Sequence, residues 1–458
     1  MPIIIPANSA GGGYDVDNSV RLNGTSSYLQ KTPSSAGNVR TWTFSTWFKK
    51  SKQSSSAQQK LFSVAGGGSN NFECYFNTND TLAFYQYTSG GTNAFLGTNQ
   101  VFRDTAAWYH LVLAVDTTQG TASNRIKMYV NGEQVTSFST AIYFNQNFDT
   151  FVDSTGQHRI GANLNTSQYF DGYLAETVLI DGQQLAQTDF GEFDGDSGIW
   201  KPKDVSSLTP GTNGFYLDFK EASNLGNDSF GGTDLTEVNL AAIDQTTDTC
   251  TNNFATINPL IVMNTDTVYS EGNLVMTPGG NTGNWQIGFS SIAVSAGKWY
   301  VETKMIGGNY VNGISETTSN QLSASGPEHF IGGFTKEIGY YSQSGNKFVE
   351  NSQTSYGASY TNGDIIGMAL DLDSGTRTIT FFKNGASQGA ITLPTSMDLM
   401  TFGMSVNQGS SSAQFNFGNP PFSISSGNTD ANDFGNFEYA PPSGHLALCT
   451  KNLSEANS

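Results

Sequence analysis

The acidic residues between positions 192 and 196 come closest to the pattern of a hydrolytic enzyme. Glu192, Asp194 and Asp196 alternate along the chain, so they would share one face of a strand. Hydrolysis of a glycosidic bond needs two carboxylates across one groove, about 5–5.5 Å apart for retention or about 6.5–9.5 Å for inversion. The run contains glycine and ends in aspartate, which favours a solvated loop. We therefore keep glycan hydrolysis only as a third alternative.

The histidines give no support to nucleophilic catalysis. They are far apart in the sequence, at His110, His158, His329 and His445. His110 lies in a strand pattern, which favours a structural role. The glycine runs that begin at Gly11 and Gly66 lack the Lys-Ser/Thr of a phosphate loop. We expect a non-enzymatic protein with no catalytic residues.

Composition and charge exclude several classes of partner. The chain has 458 residues and a net charge of −18, and it shows no basic cluster, so we expect no nucleic-acid partner. No apolar run approaches the roughly 20 residues that span a bilayer, so we expect no membrane insertion. The opening Met-Pro-Ile-Ile-Ile-Pro is not a secretory signal. We therefore expect synthesis in a cytoplasm and release as part of a particle or by lysis.

The three cysteines predict neither a disulfide framework nor a zinc site. Cys74, Cys250 and Cys449 are an odd number, lie far apart and have no Cys-x-x-Cys spacing. We expect no cofactor on this evidence.

Two segments about 250 residues apart repeat one strand pattern. Each is an apolar strand ending in aspartate (Asp116 or Asp371), a turn, an aromatic strand, an Asn-Gly pair and another strand. The pairs Asn131-Gly132 and Asn384-Gly385 indicate hairpins, because both residue types tolerate positive φ. The repeat, with few charged residues and many turn formers, predicts an all-β protein of two tandem antiparallel β-sandwiches.

Changes in pattern along the chain predict five sections. They are an N-terminal arm (1–14), a first sandwich (15–198), an irregular connector (199–262), a second sandwich (263–420) and a C-terminal strap (421–458). The connector contains scattered Phe and Leu residues, so we expect it to pack on its neighbours.

Six phrases in the first section resemble the laminin-G-like, pentraxin-type jelly roll of the concanavalin A-like group. In order they are Leu22-x-Gly24-x-x-x-Tyr28, Thr43-x-x-x-Trp47, Trp108-Tyr-His110, Tyr129-Val-Asn-Gly132, Ile160-Gly-Ala162 and Phe170-Asp-Gly-Tyr-Leu174. The resemblance covers about residues 15–190 and implies a fold used more for binding than for catalysis.

The third part of the chain resembles a SPRY domain. The matching phrases are Gly297-Lys-Trp-Tyr-Val-Glu302, Gly363-Asp-Ile-Ile-Gly-Met-Ala-Leu-Asp371 and Phe381-Phe-Lys-Asn-Gly385. Coverage is about residues 265–418. SPRY domains are also concanavalin A-like sandwiches, which accounts for the repeated pattern.

The combination resembles tailed-bacteriophage virion proteins that join these two kinds of domain. The shared phrases lie at Ile4–Asn8, Gly214–Phe219, Thr251–Leu260 and Tyr439–Gly444. The resemblance implies location in the virion and other virion proteins as partners.

The pentraxin-type resemblance raises the question of calcium. Such relatives bind it through clustered carboxylates in loops, and hard cations need several oxygen ligands. Here the loop after Gly161 carries Asn163 and Asn165, so amides replace acids. We keep these two residues as candidate ligand-binding amides. If calcium is bound, Asp149 and Asp153 are the candidate substitutes.

Four tyrosines of the SPRY-like section are candidate ligand-binding residues. Tyr340, Tyr341, Tyr356 and Tyr360 fall between predicted strands, near polar residues such as Gln343. Exposed rings supply apolar contact area, and amides bind hydroxyl groups.

The sequence therefore predicts a non-enzymatic phage virion protein. It would bind a host-surface glycan or receptor as part of a tail fibre, spike or capsid appendage, and it would form a homo-oligomer. The second alternative is a capsid decoration or tail adaptor protein with a purely structural role.

Overall fold

The computed structural model describes residues 13–261, 267–279, 285–319, 329–407 and 411–456. The chain is nearly all β, with antiparallel sheets that confirm the predicted fold class. It divides into two compact units, of which the first ends at Asn252 and the second begins at Asn253. Within the described ranges, no helix is long and apolar enough to cross a membrane.

The first unit is a sandwich of two sheets. One sheet has the order β10-β9-β8-β3-β13-β1-β18, with β16 also paired to β13; the other has the order β11-β7-β6-β5-β4-β12-β2-β17. The strands are β1 Ser19–Asn23, β2 Tyr28–Lys31, β3 Thr41–Lys50, β4 Gln59–Ala65, β5 Asn71–Phe76, β6 Thr81–Thr88, β7 Gly91–Val101, β8 Trp108–Asp116, β9 Ile126–Val130, β10 Glu133–Gln134, β11 Phe138–Ile142, β12 His158–Ile160, β13 Asp171–Asp181, β14 Gly191–Phe193, β15 Trp200–Pro202, β16 Phe215–Leu217, β17 Thr236–Val238 and β18 Gln245–Thr246. Strands β14 and β15 pair separately, and short 3₁₀ helices lie at Ala122–Asn124, Gln187–Asp189 and Ala242–Asp244.

Residues 199–252 are built into this first unit. Strands β16 and β18 join one sheet and β17 joins the other. Five side chains of the segment are buried in the main core, namely Phe215, Leu217, Phe219, Leu225 and Leu235. Asp248 is also buried, where it accepts hydrogen bonds from Lys49 Nζ at 2.8 Å and Trp108 Nε1 at 3.1 Å. The section predicted as an irregular connector, 199–262, is thus divided between the two units.

The second unit is also a sandwich of two sheets. Their orders are β19-β20-β31-β22-β27-β28-β29, with β32 on β22, and β21-β30-β23-β24-β25-β26. The elements are β19 Val268–Ser270, β20 Val275–Thr277, β21 Trp285–Phe289, β22 Lys298–Ile306, β23 Asn309–Glu316, β24 Glu337–Tyr341, β25 Lys347–Val349, β26 Ser352–Thr354, β27 Ile365–Asp371, β28 Thr378–Lys383, β29 Ala386–Thr392, β30 Met400–Asn407, β31 Ser412–Asn416, β32 Leu446–Ala447 and helix α1 Thr450–Ala456.

Both Asn-Gly pairs form the predicted hairpin turns. Asn131 and Gly132 have φ of 48° and 80° between β9 and β10, and Asn384 and Gly385 have φ of 47° and 79° between β28 and β29. Two consecutive positive φ angles are typical of the type I′ turn, whose twist suits antiparallel strands.

The chain after β31 is fastened to the second unit by a buried carboxylate. Glu302 on β22 accepts hydrogen bonds from the backbone N–H groups of Glu438 at 2.9 Å and Tyr439 at 2.8 Å. It also accepts from Tyr300 Oη and Asn416 Nδ2. Burial raises the pKa of Glu302 to about 7, because the ionised carboxylate is poorly solvated at this position.

Candidate binding surfaces

The four predicted tyrosines lie in different environments. Tyr340 and Tyr341 belong to β24, so the expectation that they lie between strands is wrong. Tyr340 and Tyr360 are buried in the core at 0% and 4% exposure. Their hydroxyls donate to the backbone carbonyls of Ala358 and Tyr340 respectively. Burial raises the pKa of both phenols, and neither ring presents an open face.

Tyr356 occupies an intermediate position at the edge of the same core. Its ring is half-buried and packs against Tyr340, with centroids 5.3 Å apart, and against Phe381. Its hydroxyl donates to the carbonyl of Gly389. The ammonium group of Lys347 lies 5.5 Å from the ring centroid. One face of this ring is therefore engaged by protein contacts.

Tyr341 belongs to a group of four half-exposed aromatic rings on the outer face of the second sheet. We call this group the Trp285 cluster, and its members are Trp285, Phe330, Tyr341 and Phe348. Ring centroids lie 6.1 Å apart for Trp285 and Tyr341, 5.6 Å for Trp285 and Phe330, and 4.8 Å for Phe330 and Phe348. The tilted and edge-on contacts hold the rings without covering them fully.

Two amides border the Trp285 cluster. Tyr341 Oη donates to Gln343 Oε1 at 2.7 Å, and Gln343 Nε2 donates to Asn309 Oδ1 at 2.6 Å. Asn309 and Trp285 both pair with Asn407, on either side of β30, so they lie on one row of the sheet. Aromatic faces and hydrogen-bonded amides are therefore adjacent on one surface.

A second aromatic surface lies on the outer face of the first unit. We call it the Tyr85 stripe, formed by Tyr85, Tyr87 and Phe95. Tyr85 pairs with Phe95 across β6 and β7, and their ring centroids are 5.6 Å apart; those of Tyr85 and Tyr87 are 6.4 Å apart. In the described part of the chain, the hydroxyls of Tyr85 and Tyr87 find no hydrogen-bond partner. The alternation of Leu82–Tyr87, with Phe84 buried, is the sequence signal that could have identified this surface.

Asn163 organises a loop, while Asn165 faces solvent. Asn163 is buried, and its Oδ1 accepts the backbone N–H of Ser167 at 3.0 Å while its Nδ2 donates to Ser167 Oγ at 3.1 Å. Asn165 is exposed. The amide of Asn163 is thus occupied within its own loop, and the role of both residues as ligand-binding amides stays a prediction.

The calcium candidates do not form a shared ligand set. Asp149 is exposed and pairs with Arg40 Nε at 2.6 Å. Asp153 is buried, and neither of its carboxylate oxygens has a hydrogen-bond partner among the described residues. Burial, and then the nearby Asp181, raise its pKa well above the usual range. Among the residues that the structure describes, no group of three or more His, Cys, Asp and Glu side chains is placed to hold a metal ion.

The acidic run after β13 is neutralised locally. Lys201 Nζ lies 3.4 Å from Glu192 Oε1 and 3.2 Å from Asp194 Oδ2. Asp194 Oδ1 accepts from the backbone N–H of Ser197 at 2.9 Å and from its hydroxyl at 2.8 Å, and these bonds lower the pKa of Asp194 to about 2. Asp194 thus caps a turn, and Asp196 is exposed within it. A general acid would instead need a raised pKa.

One Ser–His pair does occur in the first unit. His110 Nε2 lies 2.8 Å from Ser45 Oγ. Trp200 Nε1 donates to His110 Nδ1 at 2.9 Å. Since indole only donates, Nδ1 is unprotonated and Nε2 carries the proton that Ser45 accepts. Burial lowers the pKa of His110 to about 3. The histidine is therefore neutral and cannot take a proton from this serine, so its role is structural.

A Gly-x-Ser-x-Gly sequence does occur, at Gly385–Gly389, so the expectation that the chain has no such motif is wrong. A nucleophile elbow joins a strand to a helix, whereas these residues form a turn and part of β29. Ser387 is exposed, and its Oγ accepts the backbone N–H of Gly389 at 3.2 Å. The motif is therefore part of a hairpin.

Two family models match the chain. The model described as the concanavalin A-like lectin/glucanases superfamily, laminin-G type 3, matches residues 23–187, and the SPRY domain model matches residues 274–420. No curated protein matches.

Similar solved structures belong to the same two groups. A human SPRY domain is 18% identical with a TM-score of 0.27, covering 33% of this chain and 94% of its own. The SPRY domain of human HERC1 is 19% identical with a TM-score of 0.29, covering 35% and 96%. A heptameric SAP-like pentraxin from Limulus polyphemus is 17% identical with a TM-score of 0.30, covering 43% and 100%.

The two family models identify a concanavalin A-like domain of the laminin-G type at residues 23–187 and a SPRY domain at residues 274–420. Domains of these kinds are generally binding modules rather than enzymes. Their combination fits a non-catalytic binding role.

Proposed function

We propose that this protein is a non-enzymatic component of a tailed-bacteriophage virion that binds a host-surface glycan, as part of a tail fibre, spike or capsid appendage. The observation that carries the proposal is the Trp285 cluster with its bordering amides. Sugars present apolar C–H faces and hydroxyl edges, so half-exposed rings beside amides suit them. The Tyr85 stripe offers a similar surface in the other unit.

The net charge of the chain favours a neutral ligand over an anionic one. The chain carries a net charge of −18, which repels anions and leaves neutral sugars unaffected. Gln343 forms one hydrogen bond with Tyr341 and one with Asn309. Each of the two amide groups keeps further donors and acceptors that these bonds do not use. They can therefore bind hydroxyl groups while the rings contact the sugar face.

The virion assignment is supported by the sequence phrases shared with phage proteins. All four of them lie outside both matched family regions: Ile4–Asn8, Gly214–Phe219, Thr251–Leu260 and Tyr439–Gly444. Resemblance there is independent of the two common domains. In this proposal the partners are other virion proteins and further copies of the same chain, and the protein reaches the cell surface as part of the particle.

Binding is tested with the full chain on an array of bacterial polysaccharides and their oligosaccharide fragments. We expect Trp285→Ala and Tyr341→Ala to weaken binding of the best oligosaccharide about tenfold or more, since aromatic anchors dominate such contacts. Val268→Ala is the control, because Val268 is an exposed apolar residue of the other sheet. Equal affinities of all four proteins would remove the cluster as the binding surface.

Location is tested by cryo-electron microscopy of intact particles. Density at distal tail or capsid projections, with the Trp285 cluster facing outward, is the expected result. Density in many copies following capsid symmetry, with the cluster against neighbouring proteins, would instead establish a decoration or adaptor role.

A further inference from the structure

A polar cavity of about 460 Å³ opens in the first unit between three loops. These are residues 31–35 after β2, residues 210–214 before β16, and residues 228–233 between β16 and β17. Small-molecule sites have volumes of about 300–1,000 Å³. Two of the three loops lie outside the region that matches the laminin-G-like model. Residues 199–252 therefore supply two of the three loops that line the cavity.

Buried hydrogen bonds fix the walls of the cavity. Asp181 Oδ2 accepts the backbone N–H groups of Thr212 and Asn213, each at 3.1 Å. Asn213 Nδ2 donates to the carbonyl of Ser35 at 3.1 Å, which ties the second loop to the first. Asp228 Oδ1 accepts the backbone N–H groups of Tyr216 at 2.9 Å and Phe230 at 3.1 Å. A wall built in this way is preorganised, so little ordering is needed on binding.

Two charged groups on the lining keep unused hydrogen-bonding capacity. Asp228 is 3% exposed, and its Oδ2 has no hydrogen-bond partner in the described ranges. Lys31 is half-buried, and burial lowers its pKa against the attraction of Asp228, Asp234 and Asp153. Among the described residues, its ammonium group donates no hydrogen bond and forms no ion pair. The Lys31 ammonium group lies 5.9 Å from the centroid of the Phe215 ring. Asp228 and Lys31 both line the cavity, and each keeps hydrogen-bonding capacity that no described residue uses.

The remaining lining is suited to a small polyhydroxylated molecule. Thr32, Ser34, Thr212 and Thr233 supply hydroxyl groups, and the half-buried Phe230 supplies a ring. That ring is braced by Tyr216, with centroids 5.4 Å apart. The lining carries one carboxyl group, that of Asp228, and one ammonium group, that of Lys31. A neutral molecule whose groups both donate and accept satisfies both charged residues together.

We infer that this cavity binds one saccharide unit, with neighbouring hydroxyls donating to Asp228 Oδ2 and accepting from Lys31 Nζ while the sugar lies against Phe230. This inference rests on the proposed glycan-binding function and adds a second, independent subsite in the first unit.

The test uses the full chain, the polysaccharide array and calorimetry with the oligosaccharide that binds best. Asp228→Asn keeps the acceptor for the backbone N–H groups and removes the charge. Lys31→Met removes the ammonium group at similar length. Thr212→Trp fills the cavity from its exposed rim while keeping the backbone N–H bound by Asp181. Lys127→Met, on β9 and outside the cavity lining, is the matched control, and thermal melting verifies folding of each variant.

We expect Asp228→Asn and Lys31→Met each to weaken binding about tenfold to a hundredfold, as for hydrogen bonds to charged groups. Thr212→Trp should abolish binding at the cavity, and Lys127→Met should leave it unchanged. Unaltered affinity in the three cavity variants, with loss in Trp285→Ala, would overturn the cavity site and leave the proposed function standing. Absence of any saccharide binding by the unmodified chain would overturn both.

Discussion

Glu176 is a carboxyl group buried inside a strand of the first unit. It lies inside β13 with a positive φ of 46° and is 5% exposed. The register of β13 against β3 shifts between Ala175 and Val178, so a bulge turns the side chain away from the regular pattern. Its Oε2 accepts hydrogen bonds from Tyr216 Oη at 2.8 Å and Tyr14 Oη at 3.3 Å. Burial raises the pKa of Glu176 to about 8.

The raised pKa predicts that the first unit loses stability as the pH rises. The folded state holds the proton up to about pH 8, while the unfolded chain releases it near the ordinary value of 4.5. The contribution of this pKa difference to the free energy of unfolding is therefore fully present below about pH 4.5 and is lost by about pH 8. Its size is on the order of a few kcal/mol. Urea unfolding at a series of pH values measures it.

Glu176→Gln isolates this effect, because glutamine accepts the same hydrogen bonds without titrating. We expect the free energy of unfolding of the variant, minus that of the parent, to increase from pH 5 to pH 8. The exposed substitution Asn165→Gln, which removes no titrating group, is the control and should show a constant difference. Parallel curves for Glu176→Gln would mean that this carboxyl group ionises normally.

At the scale of elements, the turn between β9 and β10 depends on a ring from a later strand. A Cβ atom at Gly132 would lie 2.2 Å from Trp200 Cε3. The Trp200 ring cannot easily move, since its Nε1 is bonded to His110. We expect Gly132→Ala to lower the free energy of unfolding by roughly 2–5 kcal/mol, from positive φ and overpacking together.

The matched control for this turn is Gly120→Ala. A Cβ atom at Gly120 meets nothing within 4 Å, so the change should stay within about 0.5 kcal/mol. Chemical denaturation of both variants compares them directly. Similar losses at the two positions would show that the Trp200 ring does not constrain the turn.

The packing of the C-terminal strap on the second unit is predicted to depend on Glu302. Removing its carboxylate by Glu302→Ala leaves the N–H groups of Glu438 and Tyr439 without an acceptor. We expect a loss of roughly 2–4 kcal/mol in the stability of that unit, because each orphaned, half-buried donor carries a desolvation cost. Limited proteolysis should then cut within residues 425–440 faster than in the parent protein. An unchanged cleavage pattern would show that other contacts hold the strap.

Element patterns were predictable where strands are long and alternate. The Asn-Gly turns and the paired strands of both repeats follow from residue types alone. The adjacent residues Tyr340 and Tyr341 show the limit of such patterns. Neighbours on one strand face opposite ways, so one of the two had to be buried, but only the packing around β24 decides which.

At the scale of the whole molecule, the role of residues 199–252 could not be predicted. Strands β15 to β18 contain only two or three residues each, too few to show alternation. The partners of β16, β17 and β18 lie far away in the sequence, as in the pairing of β18 with β1. The cavity lined by Lys31 and Asp228 was missed for the same reason, because its walls meet only after these pairings form.

This organisation predicts where the first unit can be cut from the rest. A chain of Ala10–Asn252 should unfold cooperatively, whereas one ending at Gly198 should not fold. The shorter chain lacks five core side chains of residues 199–252. Losing each costs about 2–5 kcal/mol, and a typical domain has only about 5–15 kcal/mol to lose. Circular dichroism during heating distinguishes the two chains, and equal melting curves would contradict the assignment of this segment to the core.

The pairing of β1 with β18 also bears on how such a protein could arise. Ser19 lies opposite Thr246, so the first unit begins and ends on neighbouring strands. A domain with adjacent ends can be inserted into a surface loop of another protein, since the loop need not be stretched to receive it. Recombination could therefore transfer the first unit between genes as a cassette, with its own cavity, while the recipient keeps its fold.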